Sequence, residues 1–210
     1  MESNSSIDCI MPAAGLSSRM GVWKPLLPYR GTTLVEKSVS RALEFCSRVI
    51  LVTGHRGDEL EELFDKRSED HRGYPEEPRV VCVRNKDYGR GMFSSIQTGA
   101  GAVEAPLFFI ALADMPELPL EVYQLLFRHI VETDSAEGKP SLSPLEVVRP
   151  LYRGNPAHPV LCRRRVAETI LSEPPESNMQ NVMKQLRLLE IEVDRPECLY
   201  DVDTGEDLLE

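Results

Sequence analysis

Apolar positions in this chain gather into two kinds of stretch that follow one another in turn. Residues 7–11, 48–52, 80–83 and 107–112 are short, nearly unbroken apolar runs, the pattern of strands covered on both faces in a parallel sheet. Between and after them, apolar residues recur every three or four positions. Val35, Val39, Ala42, Leu43 and Cys46 form one such stripe, and Leu60, Leu63 and Phe64 a second. Val122, Leu125, Leu126, His129 and Ile130 form a third, Val166, Ala167, Ile170 and Leu171 a fourth, and Met179, Val182, Met183 and Leu186 a fifth. Each predicts a helix with one face on a sheet. Thr33-x-x-Glu36 and Ser94-x-x-Gln97 have the spacing of capping boxes that open helices. Residues 107–112 are the most hydrophobic run and predict the central strand. Residues 145–152 and 158–162, around the turn at 153–157, predict a small β-hairpin beside the parallel sheet, and 188–193 alternates into a last strand. The whole is an α/β pattern.

At 210 residues with 41% hydrophobic content, the chain suits a single domain with a sizeable core. A formal net charge of −10 speaks against a nucleic-acid binder, which would carry a basic face. The five cysteines include no C-x-x-C pair, so neither a disulfide framework nor a zinc site is expected. The first residues are polar, and the longest apolar run, 105–113, falls far short of the ~20 residues that span a bilayer. The expected compartment is the cytosol, with no membrane partner.

The chemistry concentrates where strands end. After the first run comes Pro12-Ala-Ala-Gly-Leu-Ser-Ser-Arg-Met-Gly-Val-Trp-Lys24. Small residues let such a loop turn tightly and expose its amides, and Arg19 and Lys24 add two cations; together they can cradle a polyphosphate. The spacing fits neither G-x-G-x-x-G nor G-x-x-x-x-G-K-[ST]. Asp114 follows the central run within Ala113-Asp-Met-Pro116, at the carboxyl end of a strand, where open α/β sheets bind ligands. An oxygen ligand there suits Mg²⁺, which takes one or two carboxylates plus substrate phosphates. Near the end of the sequence, Asp201 and Asp203 lie two apart and so share a face if extended.

These stretches resemble the molybdenum cofactor nucleotidyltransferase-like family, and within it the cytidylyltransferases. The opening loop is similar to the family's A-A-G-x-S-x-R-M-G-x-x-K, and Gly91 to Gly99 to its Gly-Met-x-x-Ser segment. Asp114-Met-Pro116 and Asp201 to Asp207 complete four motifs in the family's order. Gly154-Asn-Pro-Ala-His158-Pro-Val160 is a weaker match in which Ala157 replaces a glycine. Pro12 stands where leucine is usual, and 172–179 replaces a Gly-Asp-x-Gly-Ala-Arg segment.

The resemblance implies a three-layer, Rossmann-like nucleotidyltransferase fold, with a nucleotide-binding half at 6–135 and an acceptor-binding half at 136–210. It implies nucleotide contacts from Ala13, Ala14, Gly15, Ser17, Arg19, Lys24, Gly91, Ser94, Ser95 and Asp114. Acceptor contacts would come from Asn155 and His158, catalysis from Lys24, Arg19 and Asp114, and a Mg²⁺ (or Mn²⁺) site from Asp114 and Asp203, with Asp201 the other candidate. The implied reaction moves CMP from CTP to a phosphorylated acceptor, molybdopterin, with a molybdenum oxidoreductase as possible client. Alternatives are transfer to a sugar phosphate or another phosphorylated alcohol, and a non-catalytic molybdopterin chaperone. Alanine at 14, where guanylyl-transferring relatives carry glycine, points to CTP, because a methyl there would narrow the space beside the base. The backbone near Ala13 and the Ser94–Ser95 helix start are candidates for reading cytosine's polar edge.

Overall fold

The computed structural model describes residues 6–16, 23–70, 79–136 and 144–202. Ser17, Arg19 and Asp203 lie outside them. In chain order the elements are β1 (Ile7–Pro12), a short pair β2 (Pro28–Tyr29) and β3 (Thr32–Thr33), α1 (Leu34–Leu43), β4 (Arg48–Thr53), α2 (Gly57–Asp70) and β5 (Val80–Arg84). There follow α3 (Met92–Ala100), β6 (Leu107–Ile110), α4 (Leu120–Ala136), β7 (Val147–Tyr152), β8 (Asn155–Pro156) and β9 (Val160–Arg163). The last are α5 (Arg165–Ser172), α6 (Met179–Met183) and β10 (Leu188–Glu192).

The main sheet runs β10-β7-β9-β6-β1-β4-β5, with β8 paired to β7. β6 is therefore the middle strand, as its unbroken apolar run predicts. Side chains leave β1 and β4 on alternate faces. Cys9, Met11, Val49 and Leu51 join a core with Val35, Val39, Leu60, Phe64, Val122 and Leu126 from α1, α2 and α4. Ile10, Ile50 and Val52 join another with Phe93, Ile96, Val166, Ile170 and Val182 from α3, α5 and α6. Two cores back to back make the three layers. A Cβ on Gly99 of α3 would lie 2.5 Å from Ile10, so glycine there lets the helix sit directly on the sheet.

Two expectations need correction. The hairpin does not stand beside the sheet: β9 lies antiparallel between β6 and β7, while β7 and β10 run parallel to each other. Ser94-x-x-Gln97 is not a capping box. The helix starts three residues earlier than such a box would set it, at Met92, and Gly91 is its cap with φ +100°. Ser94 Oγ instead takes a hydrogen bond from Asn85 Nδ2 (2.9 Å), and Gln97 Nε2 donates to the carbonyls of Ile170 (3.1 Å) and Glu173 (2.9 Å), tying α3 to the end of α5. The box at Thr33 and Glu36 forms as expected.

At the opposite end of the sheet from the site, Asp8 is a polar residue inside β1, 3% exposed in its side chain. It accepts bonds from Arg48 Nε (2.9 Å) and Nη2 (2.8 Å) and from the amides of Glu104 (2.9 Å) and Ala105 (3.1 Å). Burial alone would raise its pKa, but the Arg48 guanidinium and the two amides outweigh burial and hold it below the usual carboxylate value. Asp8→Asn should therefore cost about 3 kcal/mol near neutral pH, because it leaves the partly buried Arg48 guanidinium with only the exposed Glu104 carboxylate (3.0 Å) as its ionic partner. The sign follows from the lowered pKa. The stabilisation is complete above the unfolded value of about 4 and is lost as pH falls through the folded one. Urea midpoints of wild type and variant should differ clearly at pH 7 and converge at acid pH.

Candidate active site

A cavity of about 530 Å³ opens at the carboxyl ends of β1 and β6. Its lining includes Ala13, Ala14, Gly15 and Lys24 from the opening loop, Gly91 and Ser95 from the start of α3, and Asp114 and Asp201. Eight of the residues named from sequence thus meet at one place. Another concavity, about 570 Å³ between α4 and the end of β10, is lined by Glu121, Arg128, Asp194 and Arg195, with Arg195 paired to Glu121 at 3.0 Å. It has neither a glycine-containing strand-end loop nor a helix N-terminus in its lining, so the first cavity is the one suited to phosphates.

Each wall is pinned by backbone bonds. The Ala13 amide donates to the Val52 carbonyl (2.9 Å), extending β1 past its last paired residue, and the His55 amide donates to the Ala14 carbonyl (3.1 Å). Lys24 opens a short 3₁₀ turn, Lys24–Leu26, and is buried to 8% exposure, so its ammonium faces inward. The Asp114 loop is held by Ser38 Oγ, which donates to the Ala113 carbonyl (2.8 Å). The Val202 amide donates to the Asp114 carbonyl (2.9 Å), while the Val202 side chain is buried with Tyr29 and Leu34. That buried valine anchors the chain segment that sets Asp201 at the cavity.

Lys24 Nζ lies 3.5 Å from Asp114 Oδ2. Burial pushes the Asp114 carboxyl above its ordinary value, Lys24 pulls it back, and the Asp201 carboxylate pushes it up again; the net shift is upward. Two carboxylates forced together in a partly desolvated place, with room for phosphates, are what a divalent cation relieves. No group of three or more His, Cys, Asp or Glu suited to a metal occurs among the described residues.

Other sequence candidates lie elsewhere. Ser94 is buried, and its hydroxyl is engaged with Asn85 and the Gly91 carbonyl (2.8 Å). Asn155 is exposed at the β7–β8 turn, where its amide reaches the Arg153 carbonyl (3.3 Å). His158 lies outside the cavity lining, with Nδ1 3.4 Å from the Ile110 carbonyl. Burial lowers its pKa by more than that carbonyl raises it, so the neutral ring is favoured at pH 7. Asn85, Tyr88 and Met92 carry more of the site than their motif indicated. Asn85 is 3% exposed and donates to both Ser94 and Ser95 (3.0 Å), fixing the start of α3. Tyr88 and Met92 line the cavity. A lone asparagine directly after a strand was the available signal for the first.

The MobA-like NTP transferase domain matches residues 9–190. The chain belongs to this family of nucleotidyltransferases. It is 33% identical to the molybdenum cofactor cytidylyltransferase of Escherichia coli K12 over 98% of this chain and 95% of that protein. It is also 31% identical to the nicotine blue oxidoreductase of Paenarthrobacter nicotinovorans, over 95% of this chain and 90% of that one. Among solved structures, a Mycobacterium tuberculosis H37Rv protein in complex with manganese superposes with a TM-score of 0.64 at 20% identity, over 96% of this chain and 95% of that one. The three-layer sheet described above is thus the Rossmann-like nucleotidyltransferase fold. Among the described residues, no helix is long and apolar enough to cross a membrane.

Proposed function

We propose that this protein is a cytidylyltransferase that moves CMP from CTP to a phosphorylated acceptor, molybdopterin, and releases pyrophosphate. The observation that carries the reading is the meeting of buried Lys24, Asp114 and Asp201 with the Ala13-Ala14-Gly15 loop in one cavity. In the proposed reaction an acceptor phosphate oxygen attacks the α-phosphorus of CTP, and the bond to the bridging oxygen breaks as pyrophosphate departs. Negative charge builds on the phosphoryl oxygens, so catalysis is positioning plus electrostatic stabilisation. Lys24 meets that charge, with Arg19 assisting on the leaving pyrophosphate. The N-terminus of α3, capped by Gly91, presents its dipole to the nucleotide. Asp114 with Asp201 would hold Mg²⁺ or Mn²⁺, with Asp203 a further candidate; such an ion supplies charge neutralisation across the triphosphate.

A pure carrier of molybdopterin has no use for a buried lysine set against paired carboxylates. The likeness to an oxidoreductase does not transfer hydride chemistry, since the residues in this cavity are those of phosphate handling. The test is pyrophosphate release with each of the four triphosphates, molybdopterin and several sugar phosphates as acceptors, and Mg²⁺ or Mn²⁺. The expected result is turnover with CTP and molybdopterin, CTP being favoured over GTP by roughly tenfold, the scale of about 1.4 kcal/mol that one apolar contact can supply. Equal or better use of GTP would overturn the cytidylyl assignment, and release only with sugar phosphates would move the acceptor to that class.

A further inference from the structure

Two walls of the cavity stand on a corner of the chain that lines no part of it. Residues 53–57 turn the chain after β4. A Cβ built on Gly54 would lie 2.7 Å from the Ala14 Cβ, 2.9 Å from the Tyr88 Cβ and 3.0 Å from the Ala14 carbonyl oxygen. Ala14 and Tyr88 both line the cavity, whereas Gly54 does not. The backbone at Gly54 is not in the left-handed region, so its torsions would admit alanine; space alone excludes it. The methyl of Ala14 therefore rests against Gly54, and Ala14 is only 2% exposed.

The corner cannot easily retreat. Its backbone is tied on three sides, by the His55 amide to Ala14 (3.1 Å), the Gly57 amide to Gly54 (3.0 Å) and the Asn85 amide to Thr53 (2.8 Å). The His55 ring stands between those of Trp23 and Tyr88, each 6.2 Å away between centroids. The Arg56 guanidinium lies 4.4 Å from the Trp23 ring centre and is held by Glu59 at 2.6 Å. A Cβ on Gly57 would meet the Arg84 guanidinium at 3.0 Å.

We infer that Gly54 is a specificity-determining residue: the Ala14 methyl is a spacer braced on Gly54, and it holds the Ala13-Ala14-Gly15 backbone forward into the cavity, leaving room beside it for a pyrimidine but not a purine. The inference rests on the nucleotide reading above and deepens it. Ala14 then selects the base through its distance from a fixed corner, without its methyl touching the base. A methyl on residue 54 would press on the same Ala14 backbone from the other side, and on the Tyr88 Cβ as well.

The experiment is calorimetric titration of CTP and of GTP, each with Mg²⁺, into wild type, Ala14→Gly, Gly54→Ala and the double variant Ala14→Gly/Gly54→Ala. Ala14→Gly should lower the CTP-over-GTP affinity ratio about tenfold as the loop settles back on the corner. The double variant, whose new methyl still meets the residue-14 carbonyl oxygen and the Tyr88 Cβ, should press that backbone outward again and return the ratio to within about threefold of wild type, at a lower melting temperature. Gly54→Ala alone crowds two methyls together; it should melt earlier and bind CTP more weakly, with a ratio at or above that of wild type. The inference is overturned if the double variant keeps the Ala14→Gly ratio, since the methyl would then act on the base directly, or if Ala14→Gly leaves the ratio unchanged. Should the double variant fail to fold, a Gly54→Ala ratio below that of wild type overturns it equally. Absence of triphosphate binding by wild type would instead remove the nucleotide reading itself, so the two failures are distinct.

Discussion

Asp114→Asn should abolish nucleotidyl transfer while leaving the fold intact, with turnover falling on the order of a thousandfold, equivalent to about 4 kcal/mol. The substitution keeps the shape of the side chain and removes its charge. The local backbone does not depend on that charge, because the Asp114 loop is held through the carbonyls of Ala113 and Asp114 by Ser38 and Val202. In the structure that charge faces Lys24 at 3.5 Å, and in the proposed reaction it would, with Asp201, attract a cation to the triphosphate. In the ligand-free protein, burial and the Asp201 carboxylate together outweigh the attraction of Lys24 for the Asp114 charge, so Asp114→Asn is expected to melt at or slightly above the wild-type temperature. Lost activity with unchanged or raised thermal stability separates a working group from a structural one. Near-normal turnover at saturating Mg²⁺ would remove Asp114 from the metal site.

The regular part of this architecture was legible because it is written in local periods. The unbroken apolar runs of β1 and β4 and the three-and-four spacing of α1, α4 and α5 depend on residues within one turn or one strand of each other. The capping box at Thr33 and Glu36 is local in the same sense, and it formed. Ser94 and Gln97 have the same spacing, yet their partners lie in other segments, Asn85 on one side and the end of α5 on the other. A local motif cannot announce a tertiary partner. The same limit hid the position of β9, since strand order within a sheet is set by long-range pairing and not by the pattern inside the strand.

At the cavity, residue types at strand ends were informative because topology brings all parallel strand ends to one edge. Ala13, Ala14, Gly15, Lys24, Gly91, Ser95 and Asp114 are together for that reason. The choice between Asp201 and Asp203 was not legible from their spacing of two. The burial of Val202 with Tyr29 and Leu34 and its bond to Asp114 place Asp201 in the cavity lining, while Asp203 lies outside the described residues. Asn155 and His158 carry a weaker motif and lie outside the lining, one on an exposed turn and the other against the end of β6.

Lys24→Ala should cost about 3 kcal/mol in the barrier, roughly a hundredfold in kcat, the scale of one preorganised electrostatic group. The lysine is held ready for that role before any substrate arrives. It is 8% exposed, begins a 3₁₀ turn whose Pro25 cannot donate a backbone bond, and is closed by the Leu27 amide donating to the Lys24 carbonyl at 2.9 Å. A long flexible side chain fixed in this way has already lost much of its rotamer entropy in folding, so little is left to lose as charge develops on the phosphoryl oxygens. Lys24→Arg should not rescue the rate, because a planar guanidinium is larger than the ammonium it replaces and cannot present a point charge in the same buried position. The decisive measurement is the split between kinetic constants. A group that acts on the transition state lowers kcat and kcat/KM together, whereas one that binds ground and transition states equally raises KM at constant kcat. The second pattern in Lys24→Ala would make this lysine a triphosphate anchor and leave the charge of the departing pyrophosphate to Arg19.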